Sequence, residues 1–295
     1  MGSISGKVVL ITGGAAGVGA EVARRLHAKG AKLVLTDLDQ AGLGEISTAL
    51  GADRVHTAVA DVRDLTAMQS VAAAAVERFG GIDVVVANAG IVSYGSVLQV
   101  DPAAFRRVLE VNVVGVFNTV RAALPSVIER RGYVLVVSSL AAYAASPGLA
   151  AYNASKAAAE QFANALRLEV THRGVDVGSA HMSWIDTAMV RDPKDDLSTF
   201  GELISKLPGP LKKTTSVEEC GKAFVAGIEG RKRQVNCPRW VGAVRWLKPV
   251  LATPVGLAPI LKLVPDLLPR MDAEVAALGR SSTARTEKLE TPTAQ

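Results

Sequence analysis

The sequence predicts one α/β domain: a doubly wound parallel sheet of about seven strands, in the order 3-2-1-4-5-6-7, with helices on both faces. Three observations predict it. Short apolar runs such as KVVLIT and YVLVV alternate with longer amphipathic stretches as far as about residue 237, the pattern of strand–helix–strand units. The first apolar run passes straight into the glycine-rich loop GGAAGVG. Apolar residues make up 49% of the 295, which suits one large core and excludes a disordered chain.

Lys7 to Thr12 reads as a buried strand, followed by the glycine loop and the helical run EVARRLHAKG. Strand, glycine loop and helix in one short unit form a dinucleotide-binding arrangement of the Rossmann type. Gly13 allows the tight turn, Gly17 lets the backbone approach a pyrophosphate, and Gly19 lets the helix pack closely on the strand. The second strand, AKLVLTDLD, ends at Asp37, 18 residues after Gly19. A carboxylate there accepts hydrogen bonds from both adenosine ribose hydroxyls and repels a 2′-phosphate. Ala15, Ala16 and Leu38 fill the places where a base would serve that phosphate, so the cofactor expected is NAD. The plainer reading of Asp37 is a cap for a helix starting near Gln40.

Arg54 to Ala60 is the third strand and runs into Asp61-Val62. Asp64 to Phe79 is an alanine-rich amphipathic helix, and Ile82 to Ala87 is a strand leading into Asn88-Ala89-Gly90. Asp101-Pro102 starts a helix, a cap followed by proline at the first helical position. That helix carries Asn112. The strand run YVLVVSS, Tyr133 to Ser139, precedes a small-residue loop and a helix from about Tyr152 to His172. One face of this helix (Ala154, Ala158, Phe162, Ala165, Leu168) fits a subunit contact or a sheet-facing stripe equally. The strand VDVGSAH follows. Asp192 to Pro210, charged and proline-broken, reads as a mobile substrate lid. Ser216 and Glu219 form a capping box, and RQVNCP is the last strand.

Tyr152 and Lys156 lie four residues apart, one turn of a helix. A nearby ammonium favours the phenolate of a tyrosine, which otherwise titrates near 10, and so makes it a usable acid/base. Alone, the pair could be an ordinary surface Tyr and Lys. Ser139, thirteen residues upstream at the end of a buried strand, can point its hydroxyl at a substrate oxygen.

With the glycine loop, these residues resemble the classical short-chain dehydrogenase/reductase family over roughly Lys7 to Gly230. The resemblance implies that Ser139, Tyr152 and Lys156 carry catalysis, and that Asn112 anchors a water beside the lysine. It implies that Asp61 hydrogen-bonds adenine with Val62 against the ring. It puts Ala16, Val18, Leu38, Ala89 and Gly90 beside the cofactor, gives Asn88 a mainly structural role, and implies a homodimer or homotetramer. Ile185 stands where a backbone amide meets the nicotinamide carboxamide, and Thr187 where a hydroxyl is usual. Met182-Ser183 replaces the family's Pro-Gly turn, which puts the loop geometry there in question. Trp184, just after it, either walls the substrate pocket or belongs to the core.

The net charge of +5 is uneven. From Arg231 on there are 11 basic and 5 acidic residues, a balance of +6, so the first 230 carry −1. No basic stripe with interleaved aromatics appears in the body, which argues against nucleic acid. Two cysteines and four histidines without ligand spacing predict no metal and a reducing compartment. MGSISGK lacks the apolar core of a signal peptide, and the cytoplasm is the expected location. The expected layout is a catalytic domain over 1–238, a basic, proline-interrupted apolar extension over 239–280, and a disordered tail over 281–295.

The function expected is NAD-dependent interconversion of a secondary alcohol and a ketone. The substrate expected is apolar, such as a steroid, terpenoid or fatty chain, in a pocket built from Ala141, Ala142, Pro147, Leu149, Trp184 and the lid. The competing reading is an NAD-holding sensor without efficient turnover; an epimerase or dehydratase would want a longer substrate domain. The extension contains Trp240, Trp246 and many leucines among basic residues. Its prolines forbid a continuous helix, leaving short helical turns that cover the pocket or a subunit interface, or a face that dips into an anionic membrane surface.

Overall fold

The computed structural model describes residues 3–290. Strands β1 (Val8–Thr12), β2 (Lys32–Asp37), β3 (Val55–Val59), β4 (Val84–Ala87), β5 (Tyr133–Val137), β6 (Asp176–Met182) and β7 (Gln234–Cys237) form one sheet. Its order is β3-β2-β1-β4-β5-β6-β7, and every neighbouring pair is parallel. The order predicted from the sequence is the order found. All side chains of β1 and β5 are buried, which is why these runs are apolar at every position and not only at alternate ones.

Helices cover both faces. α1 (Gly17–Ala28), α2 (Gln40–Leu50) and α9 (Val217–Glu229) bury Val22, Leu26, Ile46 and Phe224 on one side. On the other, α3 (Leu65–Phe79), α4 (Pro102–Leu109), α5 (Gly115–Glu129) and α6 (Ala150–Val170) flank the sheet; Met68, Val71, Val120, Ala159 and Ala163 are buried there. The local signals act as expected. The Asp64 carboxylate accepts from the Thr66 and Ala67 amides, and α3 ends on Gly80 at φ 83°, a left-handed position that favours glycine. Asp101 caps α4 from Pro102 on. Ser216 accepts from the Glu219 amide at the start of α9, which is one half of the expected capping box.

A π-helical turn, Glu110–Val114, joins α4 to α5. The continuous run Pro102–Glu129 is long and apolar enough to cross a bilayer, yet its apolar stretch is 56% buried. It is a layer of this core.

Four regions differ from the sequence reading. Asp192 to Pro210, read as a proline-broken mobile lid, is mostly helical: α7 (Ala188–Asp196) and α8 (Ser198–Lys206) fill most of it. Phe200, Leu203 and Ile204 recur at helical spacing and are buried against Leu267, Met271 and Val275. The surrounding charges and Pro193 masked that period. On α6 the buried face is Ser155, Ala159, Ala163 and Leu166. The face named above points outward, with Leu168 83% exposed and Phe162 edge-on to the half-exposed Phe117 at 6.4 Å, so the sheet-facing alternative is excluded.

The extension forms whole helices, not single turns: α10 (Val241–Leu251), α11 (Pro254–Leu261) and α12 (Val264–Leu278). Pro254 and Pro265 sit in first turns, where a missing N–H costs nothing; Pro249, Pro259 and Pro269 lie inside. Finally, the stretch read as a disordered tail is docked over its first part. Ser281, Ser282 and Thr283 are buried and lead into α13 (Ala284–Glu290). The Tyr94 hydroxyl and the Arg280 guanidinium both donate to the Ser282 carbonyl, and Arg280 pairs with Asp196 at 2.7 Å. Buried partners, not local composition, order this segment. Residues 291–295 lie outside the described residues.

Candidate active site

A cavity of about 760 Å³ opens at the carboxyl ends of β1, β2, β4, β5 and β6. It contains the point where the sheet reverses between β1 and β4, the usual ligand crevice of an open parallel sheet.

One half is a glycine cradle. Gly13 has φ 66°, and a Cβ there would lie 2.9 Å from Asn88 Nδ2; one on Gly19 would lie 2.0 Å from the Gly13 carbonyl oxygen. Gly19 therefore packs against the loop and Asn88, not the strand, and stands behind the cavity lining. Asn88 Nδ2 donates to the carbonyls of Thr12 and Gly13, while Thr12 Oγ1 accepts from the amides of Asn88 and Ala89. These bonds tie the end of β4 to the end of β1. α1 starts at Gly17 with no side-chain cap. Ala16, Gly17 and Val18, at the start of this helix, all line the cavity, and the free amides of a helix start suit a phosphate.

Asp37 accepts from the Ala15 amide through one oxygen and from the Asp39 amide through the other, both at 3.1 Å. Burial pushes its carboxyl up, and these backbone bonds pull it back. The cap of α2 is Asp39, which accepts from Gly42, so the cap reading of Asp37 fails. Leu38, Asp61, Val62, Ala89 and Gly90 also line this half. Asp61 is held by Arg63 at 2.6 Å, and Asn118 Nδ2 donates to the carbonyls of Val62 and Arg63. Sequence reasoning missed both partners.

The other half gathers Ser139, Tyr152 and Lys156. Ser139 follows β5 in extended conformation, and its Oγ accepts from the Ala141 amide. Tyr152 stands in the first turn of α6, and Lys156 one turn on is buried. Lys156 Nζ donates to the Val137 carbonyl at 3.0 Å and lies 5.6 Å from the Tyr152 ring centre. Burial lowers the lysine to about 8. Burial also raises Tyr152, and the Ser139 hydroxyl opposes that rise. The Lys156 ammonium stands beside the ring, as the four-residue spacing predicts.

Asn112 is fully buried behind Gly90 and does not line the cavity. Its Oδ1 accepts from the Ile91 amide, and its Nδ2 donates to the Ile91 carbonyl and to Ser155 Oγ. Ser155 donates in turn to the Tyr152 carbonyl. A Cβ on Gly90 would lie 3.2 Å from Asn112 Oδ1 and 3.3 Å from Lys156 Nζ, so glycine keeps open the gap between them. Ser138 Oγ donates to the Lys156 carbonyl. Ser138 and Ser155 escaped notice because serines beside named residues look like spacers. His181, at the end of β6, is also buried: Nε2 lies 2.9 Å from Ser179 Oγ, Nδ1 lies 3.3 Å from the Ser139 carbonyl, and the ring stacks on Tyr143 at 4.6 Å.

Ile185 and Thr187 line the cavity. Without Pro-Gly, the loop is fixed by other bonds: Ser183 donates to the Cys237 carbonyl, the Trp184 carbonyl accepts from Thr215, and Asp186 donates to the Thr215 carbonyl. Trp184 fills both roles considered for it, lining the cavity and meeting Phe200 edge-on at 5.8 Å.

An uncapped helix start, a glycine cradle and a ribose-reading carboxylate fit a bound dinucleotide, with Ser139, Tyr152 and Lys156 at its far end. The class is thus a doubly wound dinucleotide-binding protein with a Ser-Tyr-Lys site. Residues 7–198 match the short chain dehydrogenase family model, and the chain belongs to that family. SadH of Mycobacterium tuberculosis is 38% identical over 246 residues, 80% of this chain and 87% of that protein. An uncharacterised NAD-dependent oxidoreductase of the same organism is 34% identical over 232 residues, 72% of this chain and 84% of that protein. The crystal structure of a short chain dehydrogenase from Mycobacterium paratuberculosis bound to NAD superposes with TM-score 0.72 at 29% identity, covering 80% of this chain and 97% of that one.

Proposed function

We propose that this short chain dehydrogenase uses NAD to interconvert a secondary alcohol and a ketone on an apolar substrate. The observation that carries the reading is the convergence of Ser139, Tyr152 and Lys156 on the end of a cavity whose other end is the Asp37 glycine cradle. NAD is favoured by the Asp37 carboxylate and by the relatives named for or bound to it. When bound, it supplies the hydride acceptor.

In oxidation, Tyr152 as phenolate accepts the proton of the substrate hydroxyl. Ser139 donates a hydrogen bond to the substrate oxygen and holds it in line. Lys156, anchored by Val137, offers its remaining N–H groups to the nicotinamide ribose. Asn112 fixes the turn of α6 that carries Tyr152, by way of Ser155, and holds the loop at Ile91. An apolar substrate is supported by Leu149, Trp184, Phe200, Leu251, Leu257 and Ile260 along the remaining walls. A homo-oligomer is supported by the half-exposed Phe117, which meets Phe162 edge-on across α5 and α6, and a cytoplasmic location fits the free thiols of Cys220 and Cys237. Incubation with NAD and a panel of steroid, terpenoid and fatty secondary alcohols, read as NADH absorbance, tests the reading. Cofactor binding without NADH from any alcohol, and without NADH consumption by the matching ketones, would leave the sensor reading.

A further inference from the structure

We infer that the face made by α10 and α11 docks on an anionic phospholipid bilayer and takes substrate from it. The inference rests on the apolar-substrate reading above.

The two helices are amphiphilic in an unusual sense. Their inner residues Leu251, Leu257 and Ile260 line the main cavity. Their outer residues are also apolar: Trp246 is 74% exposed and Val255 81%, with Leu247, Val250 and Leu261 more than half exposed. A surface helix normally turns charged residues to water. A cluster of exposed large apolar residues, with a tryptophan among them, marks an interaction surface.

Charge selects the occupant. Between residues 231 and 265 there are seven basic residues and no acidic one. Arg245, stacked on Trp246 at 4.6 Å, also lines a second cleft of about 380 Å³ together with Arg167 and Arg233. Glu160 is the one carboxylate on that cleft among the described residues, and Lys248 approaches it at 3.7 Å. Lys248 also lines the main cavity, so the arginine cleft and the cavity mouth flank the same helix. Guanidinium groups around a cleft bind phosphate oxygens in pairs. Tryptophan and aliphatic side chains beside them enter the headgroup boundary. One orientation thus satisfies the apolar face, the charge and the path: headgroup phosphates on the arginines, Trp246 and Val255 in the interface, and the cavity mouth against the acyl region.

Co-sedimentation of the full chain with phosphatidylcholine vesicles, with and without phosphatidylserine, tests this. The expected result is pelleting only with phosphatidylserine, weakened severalfold by high salt. Trp246→Ser combined with Val255→Ser should lose most of the binding yet oxidise a short water-soluble secondary alcohol at the unaltered rate. Equal recovery in the supernatant with both vesicle types overturns the inference, as does vesicle binding that survives the double substitution. A free-phosphate site would show competition by inorganic phosphate with no pelleting, and that too overturns it. Were the face a contact between copies, the double variant would elute later on size exclusion with no vesicle binding by either form. Failure at the vesicle leaves NAD turnover standing; pelleting without any turnover would instead remove the substrate reading and keep the surface.

Discussion

Lys156 Nζ donates a hydrogen bond to the carbonyl oxygen of Val137 at 3.0 Å, inside the protein and, among the described residues, with no carboxylate paired to it. An ammonium held this way is solvated by one backbone dipole, and its charge costs folding stability. Burial lowers its pKa from 10.5 to about 8. The unfolded chain therefore binds more protons than the folded one between pH 8 and 10.5, and stability rises with pH across that window. Lys156→Met should raise the cofactor-free stability at pH 7 by roughly 1–3 kcal/mol and abolish turnover. The gain should shrink as pH climbs past 8. Thermal melts at pH 7 and pH 10 check it; a lower melting temperature for the variant at pH 7 would count against a charged, buried lysine.

Tyr152→Phe removes the transferable proton and little else. Loss of a general acid/base lowers rates by about 10²–10⁴-fold, so kcat should fall at least that far while NAD affinity stays within about twofold. Steady-state kinetics alongside NAD titration separates the two. Substantial turnover in the variant would refute the assignment.

Asp37 is pre-positioned by the amides of Ala15 and Asp39 before any ribose arrives. Its replacement by Ala should narrow the preference for NAD over NADP by roughly 10- to 100-fold, the worth of one charge-assisted hydrogen bond. The comparison is kcat/KM for the two cofactors in both proteins. Equal use of NADP by the unaltered chain would show that the carboxylate does not select.

His181 gives the protein an acid limit. Burial lowers its pKa to about 4, against a partial upward pull from the Ser139 carbonyl. The unfolded chain takes up a proton between pH 6.5 and 4 that the folded chain refuses, so stability falls as pH drops through that range, by up to about 3 kcal/mol. His181→Gln should flatten the fall. Denaturant unfolding at pH 7, 5.5 and 4.5 reads the slope directly, and parallel slopes for both proteins would remove His181 as its cause.

Much of this was legible in the sequence because single residues carry it. Apolar runs separated by helical stretches mark the strands and helices, the family resemblance implies their order, and the glycines, Asp37, Ser139, Tyr152 and Lys156 lie at spacings that survive without coordinates. What was not legible depends on partners far away in the chain. Nothing near Ser281 announces that Tyr94, almost two hundred residues earlier, will bind its neighbour. Nothing in DPKDDLSTFGEL announces two helices until Phe200, Leu203 and Ile204 are set against Met271. Gly19 was assigned its strand by analogy of position, whereas the clash it avoids is with Gly13 and Asn88.

The ion pair of Arg280 with Asp196, and the Ser282 carbonyl that receives both Arg280 and Tyr94, have a consequence for biosynthesis. The sheet is complete once Cys237 has been made, and a nascent chain on the ribosome can fold it from the amino end onward. The cavity walls supplied by Thr283, Arg285 and Leu289 are synthesised only after the sheet. Catalytic residues are thus assembled early and enclosed late. Chains released before Arg280 should carry the whole cofactor cradle beneath an unroofed substrate site. A truncation after Gly279 that kept full activity toward bulky alcohols would show that the roof is dispensable.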